Sequence, residues 1–380
     1  MNVLVLMPRQ RRLEYAFFGE DERTPLLESR LNSLPSDGEA MMDTLAKVRA
    51  DCTLFGAGSP DLVVVRSAYG GRVFTGATRV DAPMLLRLGN LAAEAPMHVP
   101  PAHLLAEASL QAFAGAIVVM AFETSFLVGL PARERRYAIA DDRVRRFGYH
   151  GLYHQTASEE CHGRRTGGQT RTLSLCLEPQ PEMAAIIGHR PVMVTSGATP
   201  LEGLPGETSC GELDPTIVLT MARNLGWGPE QINDVLTKRS GLRGLLGRPS
   251  HLGELLDSSA WPAQGGALPR AADGTPGAAR NILAYRILQA AGAGLAAMGG
   301  LDRIVITGRY AQNGRGLGRW LDERLRSAAT DAQKPPVILC TTPLPRILAD
   351  QGVAAACKDH GPSQSAGAFA RGLNRTQSRN

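Results

Sequence analysis

Residues Arg146–His154 read RFGYHGLYH, Ser196–Gly203 read SGATPLEG, and Gly211–Pro215 read GELDP. The first of these stretches stands where a second run of strands and helices begins. The third ends in an Asp-Pro pair, a strong start signal for a helix, because aspartate caps the first turn and proline fits the first helical position. We therefore predict that a helix follows over Thr216–Leu225.

Apolar runs and helical patterns alternate on both sides of these stretches. The predicted strands are Val3–Met7, Leu13–Phe18, Leu62–Ser67, Ile117–Phe122, Thr172–Leu177, Met183–Ile187, Val192–Thr195, Arg303–Thr307 and Pro336–Thr341. The predicted helices are Gly38–Val48, Met84–Ala93, Ala102–Phe113, Thr216–Leu225, Pro229–Lys238, Ala278–Met298 and Pro345–Gly352. Strands followed by helices thus occur twice, which predicts an α/β fold with two duplicated lobes and a cleft between them.

The chain length is consistent with this division. The chain has 380 residues, which suggests two or three domains at roughly 150 residues each. We expect residues 1–147 with about 343–380 to form an N-terminal lobe, and residues 148–342 to form a C-terminal lobe. Hydrophobic residues make up 43% of the chain, enough to bury a sizeable core.

Several protein classes are not expected from the composition. No apolar run reaches the roughly eighteen residues of a membrane-spanning helix. The apolar start Met1–Met7 precedes the basic residues of Pro8–Arg12, the reverse of a signal peptide, so we expect a cytoplasmic protein. The net charge is +5, but no dense basic face carries interleaved aromatics, so nucleic acid is not an expected partner.

Histidine and cysteine spacing does not predict a metal centre. The six cysteines form no CxxC pair and fit no zinc pattern. His150 and His154 are four residues apart and could share one face of a helix, but no acidic third ligand is spaced with them. We therefore predict no metal-ligating residues, and His154 is more readily interpreted as a buried histidine with hydrogen-bond partners.

Eight segments follow the order of the landmark motifs of acetate kinases, which are actin-like phosphotransferases. Besides the three opening stretches, they are VVRSAYGGRVF (Val64–Phe74), APMHVPP (Ala95–Pro101), VVMAFETSF (Val118–Phe126), YRI (Tyr285–Ile287) and IVITGRYAQN (Ile304–Asn313). The chain therefore resembles an acetate kinase. The resemblance implies a duplicated actin-like, ribonuclease H-like fold, and ATP- and Mg²⁺-dependent phosphorylation of a short-chain carboxylate to an acyl phosphate.

The resemblance also implies roles for four side chains. Arg66 matches an arginine that binds the carboxylate and the developing charge, a task that suits a planar guanidinium. His98 matches a histidine near the acid, and His150 a histidine that stabilises the transferring phosphoryl group. Glu123 stands at a family aspartate, one methylene longer. Arg66, His150 and Glu123 are thus the predicted catalytic residues, and Arg66 and His98 the predicted substrate-binding residues.

Structural interpretations of these residues stay open. Arg66 could be an ordinary charged residue at a strand end, and His98 could satisfy the backbone of a proline-rich loop. Glu123 follows a predicted strand, and strand ends of α/β sheets line ligand crevices, which favours a place in the site.

The positions that match the family's phosphate-binding motifs have changed. Met7 and Glu14 stand where the family has an asparagine and a lysine in its first hairpin. Glu178, Pro179 and Gln180 stand where its phosphate loop has Gly, Asn and Gly. Ser209 stands where it has a second catalytic arginine. Larger side chains and a proline hinder close backbone approach to phosphate. Gly308, Arg309 and Asn313 match the adenosine loop and are the predicted nucleotide-binding residues, while Arg9, Arg11, Arg12 and Arg309 could replace part of the lost positive charge.

Three functions therefore remain open. The first is an acyl kinase whose activity is weakened or altered. The second is an inactive family member that binds a carboxylate, a nucleotide or a protein partner. The third is an enzyme with another phosphate donor, such as pyrophosphate. The resemblance also implies a homodimer, whereas the acid, the donor and the metal are not identified by the sequence.

Overall fold

The computed structural model describes residues 1–9, 11–20, 22–141, 144–159, 169–256, 261–328 and 336–358. By their contacts the residues form two compact units, Met1–Ser125 with Leu344–Asn380, and Phe126–Pro343. The tail from residue 359 onward, which the sequence analysis assigned to the N-terminal lobe, lies outside the described residues. Residues 126–147, assigned to the same lobe, belong to the second unit, where the backbone N–H of Val194 donates to Glu134 Oε1 at 3.1 Å.

The described residues of the first unit form one sheet. Its strands are β1 (Val3–Arg9), β2 (Arg12–Phe18), β3 (Leu27–Leu31), β4 (Leu62–Ser67), β5 (Thr78–Arg79) and β6 (Ile117–Phe122), in the order β3-β2-β1-β4-β6-β5. Strands β1, β4 and β6 run parallel, and the other neighbouring pairs run antiparallel. The carboxyl ends of β1, β4 and β6 therefore meet at one edge of the sheet, the edge at which α/β sheets bind ligands.

Helices pack on this sheet because β4 and β6 are nearly continuous apolar runs with buried side chains. The helices are α1 (Gly38–Leu54), α2 (Ala82–Gly89), α3 (Val99–Ala112) and, from the far end of the chain, α12 (Leu344–Lys358). The Asp37 and Asp81 side chains cap α1 and α2. Helix α12 contacts β4 and β6 so closely that a Cβ on Gly352 would lie 2.3 Å from a Val64 methyl group.

The second unit contains a five-stranded sheet. Its strands are β7 (Arg171–Cys176), β8 (Glu182–Ile187), β9 (Arg190–Val194), β10 (Arg303–Thr307) and β11 (Val337–Leu339), in the order β11-β10-β7-β8-β9. Its helices are α4 (Ala132–Arg135), α5 (Gly151–Glu159), α6 (Pro215–Asn224), α7 (Pro229–Lys238), α8 (Gly241–Leu246), α9 (Leu252–Leu255), α10 (Pro276–Met298) and α11 (Arg315–Ala328). Short 3-10 turns lie at Ser125–Gly129 and Ala263–Gly265.

The two sheets share one plan. In each sheet the first three strands form an antiparallel meander, and two later strands add in parallel beside the first strand. The order β3-β2-β1-β4-β6 of the first unit thus repeats as β9-β8-β7-β10-β11 in the second. This repetition confirms the prediction of a duplicated α/β architecture.

Most predicted elements occur, but several differ in extent, as α1 does by continuing to Leu54, and others, such as β5 and α8, were not predicted. The Asp-Pro start signal is confirmed, because the Asp214 side chain accepts from the backbone N–H of Thr216 at 2.8 Å at the start of α6. Strand β3 was not predicted, and α12 continues to Lys358 beyond the predicted end at Gly352. None of the described helices combines the length and the apolar composition that crossing a membrane requires.

Candidate active site

Two predicted site residues meet at the ligand-binding edge of the first sheet. Arg66 lies near the end of β4, and Glu123 directly follows β6. The parallel register pairs Arg66 with Ala121, so that the backbone N–H of Glu123 donates to the carbonyl of Ser67 at 3.0 Å. Residues 57 positions apart in sequence are thereby brought side by side.

Arg66 and Glu123 form a buried ion pair. Arg66 Nε donates to Glu123 Oε1 at 2.7 Å, and the two residues are 8% and 1% exposed. Arg66 Nη1 also reaches the carbonyl oxygen of Pro8 at 3.4 Å. Glu123 Oε2 is buried and has no hydrogen-bond partner among the described residues. Glu123 therefore holds the guanidinium of Arg66 in place from one side.

A cavity opens beside this ion pair. It has a volume of about 190 Å³ and is lined by two arginines, one histidine and five mostly apolar residues: Arg9, Arg66, His98, Pro8, Ala68, Met97, Pro101 and Ala102. His98 is the residue before α3, and burial together with the nearby charge of Arg66 lowers its pKa. The imidazole is therefore neutral at pH 7. The structure thus brings together Arg66 and His98, the two predicted substrate-binding residues.

The hairpin between β1 and β2 contributes a second arginine to this cavity. Arg9 Nε donates to Glu14 Oε2 at 3.0 Å, while Arg12 Nη2 lies 2.6 Å from Glu14 Oε1. Burial alone would raise the pKa of Glu14, but the charges of Arg9 and Arg12 outweigh it, and the pKa is lowered. The charge reversal at Glu14 is thus offset by two arginines of the same hairpin.

In the second unit, a buried carboxylate organises the start of α5. The backbone N–H groups of Tyr149 and His150 donate to Glu182 Oε2 and Oε1, both at 2.8 Å. His154 Nε2 lies 3.1 Å from Glu182 Oε1, and its Nδ1 lies 2.8 Å from Ser174 Oγ. His154 is fully buried with partners on both ring nitrogens, as the sequence indicated.

These contacts keep Glu182 ionised. Burial would raise its pKa, but the hydrogen bond from His154 and the adjacent charge of His150 lower it to about 2. The His150 ring points elsewhere, with Nε2 3.0 Å from the carbonyl oxygen of Gln180. Because a carbonyl only accepts, Nε2 carries the proton, which leaves Nδ1 of His150 for another partner.

In the loop after β7, the side chain of Glu178 accepts hydrogen bonds from donors of the second unit. Glu178 is 6% exposed and accepts from the backbone N–H and the Nε of Arg309, both at 2.9 Å. Tyr153 OH donates to the same carboxylate at 3.0 Å. Burial opposes ionisation of Glu178, but the charges of Arg309 and His150 outweigh it and lower its pKa.

This arrangement does not fit a nucleotide phosphate at the Glu178 loop. Backbone N–H groups and arginines at the ends of parallel strands are the donors that a phosphate uses, and here Glu178 takes them. Gly308 has a φ of 89°, and a Cβ on it would lie 2.7 Å from the carbonyl oxygen of Leu177, so strand packing already accounts for this glycine. Asn313 is exposed. Within the described ranges, no group of three or more His, Cys, Asp or Glu side chains could hold a metal ion.

Sequence reasoning missed three partners. Glu182 stands at the start of an apolar strand, an unusual place for a carboxylate and therefore a usable signal. Glu178 was recognised as a change, but its pairing with Arg309 across 131 residues has no local signal. Arg9 was considered only as replacement charge for the phosphate side, whereas it lines the cavity of Arg66.

Solved structures show the same fold. The acetate kinase of Porphyromonas gingivalis superposes with a TM-score of 0.78 at 22% identity, covering 93% of this chain and 99% of that chain. The propionate kinase of Francisella tularensis subsp. tularensis SCHU S4 gives 0.77 at 20% identity, again covering 93% and 99%. The chain therefore has the duplicated, two-lobed actin-like α/β fold that the sequence analysis predicted.

Curated sequences and a family profile show the family. The chain is 34% identical over 264 residues to an acetate kinase of Clavibacter sepedonicus, a match spanning 67% of this chain and 64% of that relative, slightly less than two thirds. It is 30% identical over 291 residues to an acetate kinase of Coprothermobacter proteolyticus, spanning 74% and 67%. The profile described as Acetokinase family matches residues 28–325, well over half of the sequence. The chain belongs to the acetokinase family.

Proposed function

We propose that the chain transfers a phosphoryl group to a short-chain carboxylate and forms an acyl phosphate. The observation that carries the proposal is the guanidinium of Arg66, held by Glu123 at 2.7 Å and exposed to a cavity that it shares with His98. A buried arginine fixed through Nε presents its terminal nitrogens as a fork that matches a carboxylate.

Each residue of the cavity has a part in binding the acid. Arg66 binds the carboxylate, and Glu123 keeps the guanidinium from rotating away. His98, neutral because burial and Arg66 lower its pKa, exchanges a hydrogen bond without adding charge. Met97, Pro101 and other apolar wall residues accommodate a short alkyl chain. In the second unit, His150 is the proposed phosphoryl-side residue, with its ring oriented by the carbonyl of Gln180.

The proposal includes a reduced use of ATP as the phosphate donor. Glu178 neutralises Arg309, so this arginine does not supply the free positive charge that the sequence analysis considered. A carboxylate at this loop would repel a nucleotide phosphate. We therefore expect ATP with Mg²⁺, the donor that family membership implies, to bind weakly. Pyrophosphate is assayed as an alternative donor.

The Glu178–Arg309 pair also favours a second candidate function. A family member that binds a carboxylate and does not turn it over would keep the Arg66 cavity and lose the donor site. Such a protein would act through its bound ligand or a partner chain. The two candidates differ in one measurable respect, the formation of acyl phosphate.

The test is a hydroxylamine trap for acyl phosphate with the purified full chain. Acetate, propionate and butyrate are offered with Mg²⁺–ATP or with pyrophosphate, and acid binding is measured in parallel by calorimetry. Arg66→Ala removes the guanidinium, and Arg72→Ala removes an exposed arginine shortly after the same strand as a matched control. Product from the wild type and the control that falls at least about a hundredfold in Arg66→Ala supports the kinase.

The other outcomes are equally informative. Acid binding that depends on Arg66 without product from any donor supports the second candidate. If the chain neither binds any of the acids nor forms product, both candidate functions are rejected.

We also propose a homodimer formed through the second unit. Helices α6 and α10 expose Leu219, Ile282 and Tyr285 with 54%, 42% and 57% of their surface accessible. Ile282 and Tyr285 lie three residues apart on α10 and so share one face of that helix, and adjacent exposed apolar side chains are typical of an interface. Light scattering of the purified chain gives its mass directly, and a monomer at micromolar concentration would reject the dimer.

A further inference from the structure

We propose that Arg9 makes the cavity of the first unit selective for short dicarboxylates. The inference rests on the proposed function, since it takes Arg66 as the ligand of the reacting carboxylate. It goes beyond that function because it assigns a second anionic group of the substrate to a second arginine.

The first argument is the position of Arg9. It is the last residue of β1 and lines the same cavity as Arg66. The guanidinium of Arg66 donates through Nη1 to the carbonyl of Pro8, the residue before Arg9. The side chain of Arg9 is 26% exposed, so much of it is shielded from water. Two arginines from neighbouring parallel strands thus share one small, partly buried space.

The second argument is the way in which both guanidinium groups are anchored. Arg9 Nε donates to Glu14 at 3.0 Å, and Arg66 Nε donates to Glu123 at 2.7 Å. An arginine held through Nε keeps its terminal nitrogens for further hydrogen bonds. Each arginine is therefore anchored through Nε and can offer donors of its terminal nitrogens to a ligand, although Nη1 of Arg66 also reaches the carbonyl of Pro8. This arrangement suits two carboxylates.

The third argument is charge balance. Burial and the positive charge of Arg66 both lower the pKa of Arg9, so the two cations repel each other. Glu14 relieves this only partly, because it also pairs with the more exposed Arg12. The other titratable group lining the cavity, His98, is neutral. A ligand with two carboxylates can bond to the terminal nitrogens of both guanidinium groups, whereas a monocarboxylate can bond to those of only one.

The fourth argument is size. The cavity of about 190 Å³ is well above the roughly 10–15 Å³ that one water needs, and Met97, Pro101 and Ala102 form part of its wall. It therefore suits an acid of three or four carbons with a carboxylate at each end. Malonate and succinate are the probes of this class.

The experiment measures binding of propionate, malonate and succinate to the full chain by calorimetry. We expect the wild type to bind malonate or succinate about tenfold more tightly than propionate, the effect of one extra charge-assisted contact. Arg9→Gln should remove this preference, because it weakens the binding of malonate and succinate much more than the binding of propionate. Arg9→Lys should retain part of the preference, since it keeps the charge and loses the fork.

Arg12→Gln is the matched control. Arg12 pairs with Arg9 across the hairpin and contacts the same Glu14, but it is 44% exposed and is not part of the cavity lining. The control should keep the dicarboxylate preference. Thermal unfolding of each variant confirms that it is folded.

Two outcomes overturn the inference: a wild type that binds dicarboxylates no better than propionate, and an Arg12→Gln variant that loses the preference as Arg9→Gln does. Failure of the proposed function looks different, because then Arg66→Gln would leave the binding of every acid unchanged. Product formed from propionate without any dicarboxylate preference keeps the proposed function and rejects only the role of Arg9.

Discussion

Arg309 donates two hydrogen bonds to Glu178, one from its backbone N–H and one from Nε, both 2.9 Å long. The carboxylate thereby satisfies donors at the end of β10 that would otherwise face an anion. An arginine that sequence comparison suggests as a source of free positive charge is instead neutralised within its own unit. This relationship predicts how the donor side responds to substitution.

Removal of the Glu178 carboxylate should open an anion site. We expect Glu178→Gly to bind a fluorescent ATP analogue at least about tenfold more tightly than the wild type, because Arg309 and Tyr153 lose their internal anion. Glu207→Gln is the matched control, since Glu207 accepts from Tyr310 at 2.7 Å next to Arg309. A folded Glu178→Gly variant whose affinity equals that of the wild type would show that the pair does not block the site.

Glu123→Asp should weaken acid binding more than Glu123→Gln. Aspartate is one methylene too short to reach Nε of Arg66, whereas glutamine keeps an oxygen at that distance. We expect KM for the acid to rise about tenfold or more for the aspartate variant, with a smaller rise for glutamine. A larger effect of the glutamine substitution would contradict this, because it would show that the charge of Glu123 matters more than its reach.

Acid should destabilise the second unit through Glu182. Its folded pKa of about 2 lies below its ordinary value of 4.5, so the carboxylate stabilises the fold above pH 4.5. This contribution, at most about 3 kcal/mol, is lost as the pH falls from 4.5 towards 2. Urea unfolding of Glu182→Gln should therefore depend less on pH over this range than that of the wild type. Glu159→Gln is the control, since Glu159 is an exposed residue at the end of α5, the helix whose start Glu182 organises, and this variant should behave as the wild type does.

Gly203→Ala should destabilise the chain severely. Gly203 has a φ of 108°, and a Cβ would lie 2.8 Å from the carbonyl oxygen of Thr195. We expect a loss of about 2–4 kcal/mol in the free energy of unfolding, from backbone strain and steric overlap together. Gly226→Ala isolates the first effect, because its φ is 65° but nothing lies within 4 Å of the new Cβ. Chemical denaturation of both variants separates the two costs, and equal losses would contradict the steric argument.

The sequence predicted the fold well because its signals are local. Strands Leu62–Ser67 and Ile117–Phe122 and helix Pro229–Lys238 have the predicted bounds, since each is an unbroken apolar run or has clear start and stop residues. Strand Leu27–Leu31 was missed because it reads LESRL, an edge strand with polar residues on its exposed face.

The site was predicted only in part because its chemistry depends on long-range partners. Motif position indicated Arg66 and His98, and the structure places both at one cavity. The effect of Glu178 depends on Arg309, 131 residues away, and the anchoring of Arg66 depends on Glu123. Such pairs form when strands align in a sheet, and the sequence around one partner gives no signal that identifies the other. The roles proposed for Glu123 and His150 stay predictions until they are assayed.

Helix α12 gives the chain an unusual order of assembly. It contacts β4 and β6 through buried residues such as Leu348 and Gly352, so the unit that contains the amino terminus also needs residues from beyond position 343. The second unit is encoded without interruption between these two parts. During synthesis on the ribosome, the unit whose first strand emerges earliest is therefore completed last, and the sheet positions that α12 covers stay exposed while the later-encoded unit folds.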